Sequence, residues 1–470
     1  MANSRKSCSL NNPDQVQQAF ERAIRAFLAR VCVSAHESRP SLAVAYSGGL
    51  DSTVLLYLAS RYAAEHDLSI FAFHVHHGLS GNADAWAAHC RVEAERFGAP
   101  LDVANVLVAD AAKRGVEEAA RIERYNALGD LCRSKGVSLL LTAHHRDDQA
   151  ETVLLQLMRG AGLPGLSGMA AFQAQHELLG PSVALGRPLL GMSRNELEGV
   201  ATHIGLQHVS DESNTDVRYR RNAVRHDIVP VIETHFPGFS ERIVRTSVHA
   251  QTAQTLLSEL AMIDYGNCKA QLPADALDLT KMHGLSAERL DNLLRHWLYR
   301  HAVQLPSTSR LNEIRMQMMG AASDKHPFFD FGPVTLHRIE TRLELHPNPG
   351  AAPCEPIILA WHGEAELAIP QWGGRLVFEK ADGPGLDAET LRHGVLSLRP
   401  RIGQERLKLA VNRPSKSLKH LFQESLIASW QRAWLPLLYV DDHLVFVAGL
   451  GMDIRHMTPG GSLALRWERT

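Results

Sequence analysis

The sequence predicts an α/β fold with a doubly wound, mostly parallel sheet, followed by a mostly helical domain and a small α+β domain. Three observations carry this. Short apolar runs alternate with longer amphipathic segments through the first part of the chain, as strands buried on both faces and their crossover helices do. From about residue 216 long helical segments take over. Residues 346–353 then hold three prolines and a glycine, a stretch expected to break regular structure and act as a linker. The expected domains are 1–215, 216–345 and 357–470, with a linker at 346–356. A chain of 470 residues suffices for three cores of roughly 100 to 200 residues each.

Element by element, Val16, Phe20, Ile24, Phe27, Leu28 and Val31 fall at helical spacing and predict an amphipathic helix over 13–33 that packs on the next elements of the chain. Residues 42–46 suit a buried strand, leading into a glycine turn and a helix over 53–64. The alternation continues with strands at 70–75, 101–108 and 137–143 and helices at 83–97, 116–134 and 147–159. Ligands of such sheets lie at the carboxyl ends of the strands, so functional residues are expected just after Tyr46, Val75 and Ala143. Beyond 216, residues 240–262 and 287–303 read as helices and 328–345 as strand. These apolar helices suit either an internal core or a homodimer interface.

Composition narrows the function classes. With 45% hydrophobic and 21% charged residues the chain is not dominated by disorder. Its 49 Lys and Arg against 51 Asp and Glu leave a net charge of −2, so any nucleic-acid contact must use local patches. The cysteines at 8, 32, 90, 132, 268 and 354 never fall at the short spacings of a zinc ribbon or an iron–sulfur ligand set, and a reducing compartment is the natural reading. Residues 1–14 lack the apolar stretch of a secretory signal, and no run of eighteen apolar residues occurs. A cytoplasmic protein without a membrane partner is expected.

Ser47-Gly48-Gly49-Leu50-Asp51-Ser52 lies between a predicted strand and helix, where backbone N–H groups and the helix dipole favour a phosphate. It lacks the lysine of a Walker loop, and a plain strand-to-helix turn with a serine cap is the competing account. The hexapeptide resembles the SGGxDS signature of the PP-loop ATP pyrophosphatases, which share an adenine nucleotide alpha hydrolase-like fold and cleave ATP between its α and β phosphates to adenylate a substrate. Within them, Phe73-His74-Val75-His76-His77-Gly78-Leu79, Ala120-Arg121-Ile122-Glu123-Arg124-Tyr125 and Thr142-Ala143-His144-His145-Arg146-Asp147-Asp148-Gln149-Ala150-Glu151-Thr152 are similar to the tRNA(Ile)-lysidine synthetases. So are Arg159-Gly160-Ala161-Gly162-Leu163 and Asp211-Glu212-Ser213-Asn214. Arg401 to Arg406, Ser415 to Lys419 and Trp430 to Arg432 resemble the carboxyl-terminal domain of longer bacterial members.

The resemblance implies that ATP adenylates the C2 oxygen of the wobble cytidine in the CAU-anticodon isoleucine tRNA, after which the ε-amine of free L-lysine displaces AMP. Ser47, Gly48, Gly49, Leu50, Asp51 and Ser52 would bind the nucleotide, with Asp51 also the carboxylate for Mg²⁺; without the family, Asp51 is an ordinary first-turn acid. Arg124, before the tyrosine, is the expected clamp on phosphate, although an arginine pair with Arg121 also suits a solvated face or an ion pair with Glu117 or Glu118. His74 and His76 are expected at the adenosine or its loop.

The amine step has an energetic obstacle: an unperturbed lysine is neutral about once in 2,500 molecules at pH 7, a handicap of roughly 4.6 kcal/mol. His144 suits a general base or a phosphate ligand. Asp148 and Glu151 sit three apart on one helical face and are assigned to lysine, although such acids also simply enrich a helix amino terminus. The alternatives are another PP-loop tRNA enzyme such as a thiolase, against which the isolated cysteines count, or a noncatalytic ATP-dependent RNA-binding protein. For tRNA, the candidates are Arg218, Arg221 and Arg225, with Arg221 alternatively reaching the active site, and the carboxyl-terminal run Arg401, Arg406, Lys408, Arg413, Lys416 and Lys419. Both also read as solvated surface charge.

Overall fold

The computed structural model describes residues 13–32, 41–78, 82–107, 116–209, 216–321, 327–348, 350–425, 427, 430–460 and 462–469. Cys8, Leu79 and the Asp211-Glu212-Ser213-Asn214 motif lie outside the described residues. The chain divides into two compact units, Met1–Leu257 and Ser258–Thr470.

The first unit holds a six-stranded sheet. In chain order its elements are α1 (Pro13–Cys32), β1 (Ser41–Ala45), α2 (Leu50–Glu65), β2 (Ser69–His76), α3 (Ala83–Arg96), β3 (Leu101–Asn105), α4 (Val116–Lys135), β4 (Leu139–Leu141), α5 (Arg146–Met158), α6 (Leu163–Leu166), β5 (Phe172–Gln173), β6 (Ala184–Gly186) and α7 (Arg194–Ile204). The spatial order is β3-β2-β1-β4-β6-β5, all parallel except the short edge strand β5. After β1 the chain winds outward to β2 and β3, then returns to lay β4 on the other flank of β1. The crevice above the carboxyl ends of β1 and β4 is therefore the switch point where doubly wound sheets bind ligands.

The alternation of side chains along β1 explains the two covered faces. Leu42 and Val44 enter a core with Phe20 and Ile24 of α1, Leu55 and Leu56 of α2, and Leu197 and Val200 of α7. Ala43 points the other way, toward Tyr125, Leu128 and Cys132 of α4 and toward Leu140. The lead-in helix α1 is thus an integral part of the sheet's core, its Phe20 ring set edge-on to Tyr62 at 6.4 Å. Past α7, the arginine-rich segment forms α8 (Arg220–Ala223), continues without a break as a π-helical turn (Val224–Ile228), and passes into α9 (Val229–His235). The long α10 (Phe239–Cys268) extends beyond the 240–262 that its sequence pattern predicts.

The second unit contains β7 (Leu277–Asp278), the short α11 (Leu279–Met282), α12 (Ala287–Arg300) and α13 (Thr308–Gly320). The last two pack through Leu293, Leu294, Trp297, Leu311 and Ile314. Helix α12 stops three residues before the expected 303, because the chain turns at Ala302, whose φ is +54°. The predicted strand 328–345 is a meander of β8 (Phe328–Asp330), β9 (Val334–Ile339) and β10 (Arg342–Pro347). Strand β10 runs two residues into the expected linker, pairing His346 with Thr335 and Pro347 with Val334. Proline is tolerated there because it ends the strand, beyond the reach of β7, which pairs only with Arg342 and Leu343.

Two larger antiparallel sheets and a two-stranded ribbon complete the chain. One has five strands, β11 (Ile357–Leu359), β14 (Leu396–Arg399), β17 (Leu437–Val440), β18 (His443–Val447) and β19 (Gly451–Met452). The other has three, β12 (Glu366–Ile369), β13 (Gly374–Lys380) and β20 (Leu463–Arg469). They share a core around Trp372, Leu376, Leu438 and Phe446. Among the described residues, no helix is long and apolar enough to cross a membrane.

Because Phe20 is fully buried, truncating it should leave a cavity. Phe20→Ala is expected to lower the unfolding free energy by about 3–5 kcal/mol, read by denaturant unfolding.

Candidate active site at the switch point

The loop after β1 is pinned from below. Tyr46 donates its N–H to Phe73 O at 2.8 Å, and His74 Nδ1 lies 2.9 Å from Tyr46 O, the arrangement of a ring N–H donating to that carbonyl. Burial holds the His74 pKa below the ordinary value, so the ring is neutral. His74 thus fixes where the nucleotide loop begins. Gly48 adopts φ +83°, and a Cβ placed there would stand 2.7 Å from the buried Cys90 Sγ. The second position, Gly49, caps α2 without a side-chain hydrogen bond, leaving the first N–H groups of this sixteen-residue helix available to an anion. Ser47 Oγ and Ser52 Oγ sit 3.1 Å apart, and Ser52 Oγ donates to Gly49 O at 3.0 Å.

Asp51, one residue into α2, carries a buried Oδ1 with no hydrogen-bond partner. Burial above all raises its pKa, against the nearby His145 and Arg194. An orphaned hard oxygen beside a phosphate loop fits Mg²⁺ held jointly with phosphate oxygens. Among the described residues no group of three or more His, Cys, Asp or Glu forms a metal site by itself.

Across the crevice, α5 begins with a reciprocal cap. Asp147 N donates to His145 Nδ1 at 3.2 Å, while His145 N donates to Asp148 Oδ2 at 3.0 Å. Nδ1 accepts, so the ring hydrogen sits on Nε2, which faces Asp148 Oδ2 at 3.4 Å and Asp51 Oδ2 at 3.7 Å. Burial opposes a charge on this ring, but Asp147, Asp148 and Asp51 outweigh it and raise the His145 pKa. His145 therefore ties the nucleotide loop to α5, a role the sequence pattern does not reveal. Asp147, 3.5 Å from His145 Nδ1, also caps α7, accepting from Arg194 N at 2.8 Å.

Asp148 and Glu151 are brought together as their spacing predicts, and both are buried. They are already engaged. Arg221 donates from Nε to Glu151 Oε2 at 2.9 Å and from Nη2 to Asp148 Oδ1 at 3.0 Å. Arg225 donates from Nε to Glu151 Oε1 at 2.6 Å and from Nη2 to Asp148 Oδ1 at 2.9 Å. Burial alone would raise the Asp148 pKa; His145, Arg221 and His144 overcome it and hold the carboxyl well below the usual range. Arg221 and Arg225 thus turn inward rather than line an open basic surface, while Arg218 and the neighbouring Arg220 face solvent. Arg218 is itself paired with Asp216 at 2.7 Å.

His144 lies deep among protein atoms, although part of its ring reaches solvent. Burial, then Arg187, Arg221 and Arg124, depress its pKa against the pull of Asp148. Thr142 Oγ1 is 3.0 Å from its Nδ1, leaving Nε2 for a ligand. Arg124 projects from α4 close enough to influence His144 and His77. Arg121, by contrast, meets Glu118 at 3.7 Å. His76 Nε2 lies 3.2 Å from Asp84 Oδ1, too poorly aligned for a hydrogen bond. One residue that the sequence pattern does not single out, Arg187, follows β6 and reaches the same edge of the sheet.

In the second unit, Arg406 and Lys416 lie on the paired strands β15 (Arg406–Leu407) and β16 (Lys416–Ser417), with Lys408 and Arg413 in the intervening loop. Arg406, Arg413 and Lys419 are exposed, Arg401 and Lys408 half-buried, and Lys416 pairs with Glu424 at 2.5 Å.

Comparison with known proteins bears on this arrangement. The PP-loop domain family matches residues 16–232, the TilS substrate binding domain residues 277–343, and the TilS substrate C-terminal domain residues 396–468. The tRNA(Ile)-lysidine synthase of Ralstonia nicotianae is 40% identical over 91% of this chain and 92% of its own. The chain belongs to the tRNA(Ile)-lysidine synthase family. Further family members from Burkholderia pseudomallei, at 39% identity over 93% of this chain and 95% of theirs, and Nitrosomonas europaea, at 35% over 90% of each, span a similar extent. A solved U34-tRNA thiolase, NcsA from Methanococcus maripaludis with its [4Fe-4S] cluster, covers 50% of this chain and 79% of its own at 20% identity and a TM-score of 0.39.

Two outcomes test the geometry of this family member. Gly48→Ala should lose nucleotide binding and about 1–3 kcal/mol of stability, since both the left-handed φ and the Cys90 contact oppose a Cβ; adding Cys90→Ala should recover only the steric part, as read by titration calorimetry and denaturant unfolding. Asp148 is ionised more readily folded than unfolded, so it stabilises the fold above its unfolded value of 3.8 and loses that contribution as pH falls below it. The stability gap between the parent and Asp148→Asn should accordingly narrow from pH 5 toward pH 2.

Proposed function

We propose that this chain, in the cytoplasm, joins the ε-amine of free L-lysine to C2 of the wobble cytidine of CAU-anticodon tRNA(Ile), consuming ATP and yielding lysidine, AMP and pyrophosphate. The observation that carries the reading is the placement of the glycine loop after β1 directly across the switch point from His144, Asp148 and Glu151.

In the first step the cytidine O2 attacks the α-phosphorus and pyrophosphate leaves. Negative charge grows on the departing group, and the amino-terminal N–H groups of α2, the Ser47 hydroxyl and, once it turns from Gly49 O, the Ser52 hydroxyl are the donors that meet it. Asp51 would hold Mg²⁺, which neutralises phosphate charge when bound. A neutral His144, accepting from Thr142 at Nδ1, donates from Nε2 to a phosphate or base oxygen, and Arg124 adds a full charge from α4. A ring whose pKa is held down is the better donor and the weaker base.

In the second step the amine attacks C2 and AMP departs. Asp148 and Glu151 receive the incoming ammonium, which must share these carboxylates with Arg221 and Arg225. Lysine binding therefore redistributes an existing ionic cluster instead of filling unpaired acids. Asp148, its carboxyl held well below the usual range by these cations, is too weak a base for the amine's proton, so the cluster's part is to orient the amine toward C2. The carboxyl-terminal basic run, Arg401, Arg406, Lys408, Arg413, Lys416 and Lys419, together with Arg218, gives the sequence-independent hold on tRNA phosphates.

Mixing the protein with ATP, labelled lysine and total tRNA should incorporate lysine into tRNA while AMP and pyrophosphate appear in equal amounts. ATP bound but uncleaved would overturn the reading in favour of a nucleotide-dependent RNA binder. Asp51→Ala is expected to abolish AMP formation, whereas Glu151→Gln should chiefly raise the KM for lysine; equal loss of adenylation in both would contradict this division of labour.

A further inference from the structure

Arg187 is a buried cation that neither adenylation nor amine attack employs. It follows β6 at the carboxyl edge of the sheet, with 5% of its surface exposed. Its Nη1 donates to Ala170 O at 2.7 Å and to Gln173 Oε1 at 3.2 Å, both uncharged acceptors. Its Nε is buried with no acceptor at all. Among the described residues no carboxylate comes within ion-pair distance of it. Buried charges are ordinarily paired, and an uncompensated one costs several kcal/mol. Burial lowers its pKa, with the Tyr125 side chain only partly offsetting the penalty. An anion reaching this group would supply the acceptor and the countercharge it lacks.

The surroundings indicate which anion. Arg187 follows β6 and the nucleotide loop follows β1, with β4 between them. Two strand spacings put roughly 10 Å between the two backbone positions, so Arg187 enters from the side of the nucleotide loop and not from within it. Positive neighbours lie instead along α4 and the segment after β5: Arg121 and Arg187 act on His176, and Arg187 and Arg124 act on His144. His176 stacks on Tyr125 at 4.8 Å and carries its own buried, unpartnered Nδ1. A row of cationic groups leading inward from exposed arginines matches a repeating anion better than a single carboxylate.

We propose that Arg187 binds a backbone phosphodiester of the substrate RNA next to the base being modified, fixing that base above the switch point. The assignment rests on the lysidine-forming reading of the site. Arg187→Met, nearly isosteric and uncharged, separates it from a structural role: the lost hydrogen bonds to Ala170 O and Gln173 Oε1 are offset by removal of the uncompensated buried charge, so little net change in stability is expected. The expected result, with the full-length protein and tRNA(Ile), is a KM for tRNA raised tenfold or more. KM values for ATP and lysine should stay within about twofold and the Tm should not fall. The slope of log affinity against log salt should flatten by about 0.7, the loss of one single-strand phosphate contact. Arg187→Lys, which keeps the charge, should recover part of the tRNA affinity.

A lowered Tm with an unchanged KM for tRNA would reduce Arg187 to a tie for Ala170 and Gln173 and overturn the proposal. A rise confined to the KM of ATP or of lysine would overturn it in favour of the nucleotide phosphate or the amino-acid carboxylate. Failure of the parent protein to incorporate lysine would instead count against the proposed function itself.

Discussion

Two carboxylates share the interior of this domain, and the structure around them answers the need to keep them ionised out of water. Asp148 and Glu151 project from the same face of α5, where unpaired they would repel each other and take up protons. Arg221 and Arg225 prevent this with five hydrogen bonds between 2.6 and 3.0 Å. The guanidiniums come from a segment some seventy residues later in the chain, so one electrostatic requirement fixes α8 and the π-turn against α5. Removing either partner leaves the other as an uncompensated buried charge, the condition that costs most.

The same cluster is poised by its neighbours. His145 bridges from Asp148 to Asp51, so the charge state of α5 is felt at the nucleotide loop. Asp51 is pushed up by burial while Asp148 is pulled down by cations, two carboxyls a short distance apart with opposite tendencies. An enzyme that must bind a polyanion on one side of a crevice and an ammonium on the other needs such a division, and here a single histidine spans it.

Much of this is legible in the chain. The strand and helix alternation betrays the sheet because strands buried on both faces leave a plain apolar signature, and the glycine loop stands out because few side chains tolerate the geometry Gly48 adopts. Asp148 and Glu151 can be paired from helical spacing alone. Arg221 and Arg225 are visible as a basic cluster, but their inward turn depends on a contact across seventy residues that no local pattern encodes. His145 reads as packing beside the more conspicuous His144. Arg187 is invisible because an isolated arginine in a loop looks like any surface cation until its burial is known. Strand β10 runs into the expected linker at residue 347 for a simpler reason: a proline's missing donor matters only where a neighbouring strand would have used it.

The π-helical turn from Val224 to Ile228 bears on the tolerance of this region to change. Such a turn contains one residue more than the α-helical equivalent, and each residue of a helix advances the azimuth by about 100°. Excising a single amino acid there would let the winding relax to regular hydrogen bonding, but everything downstream would swing by that angle relative to Arg221. The surplus residue works as a phase adjuster between the stretch that faces the acids and the helices beyond it, so length here should be guarded more strictly than side-chain identity.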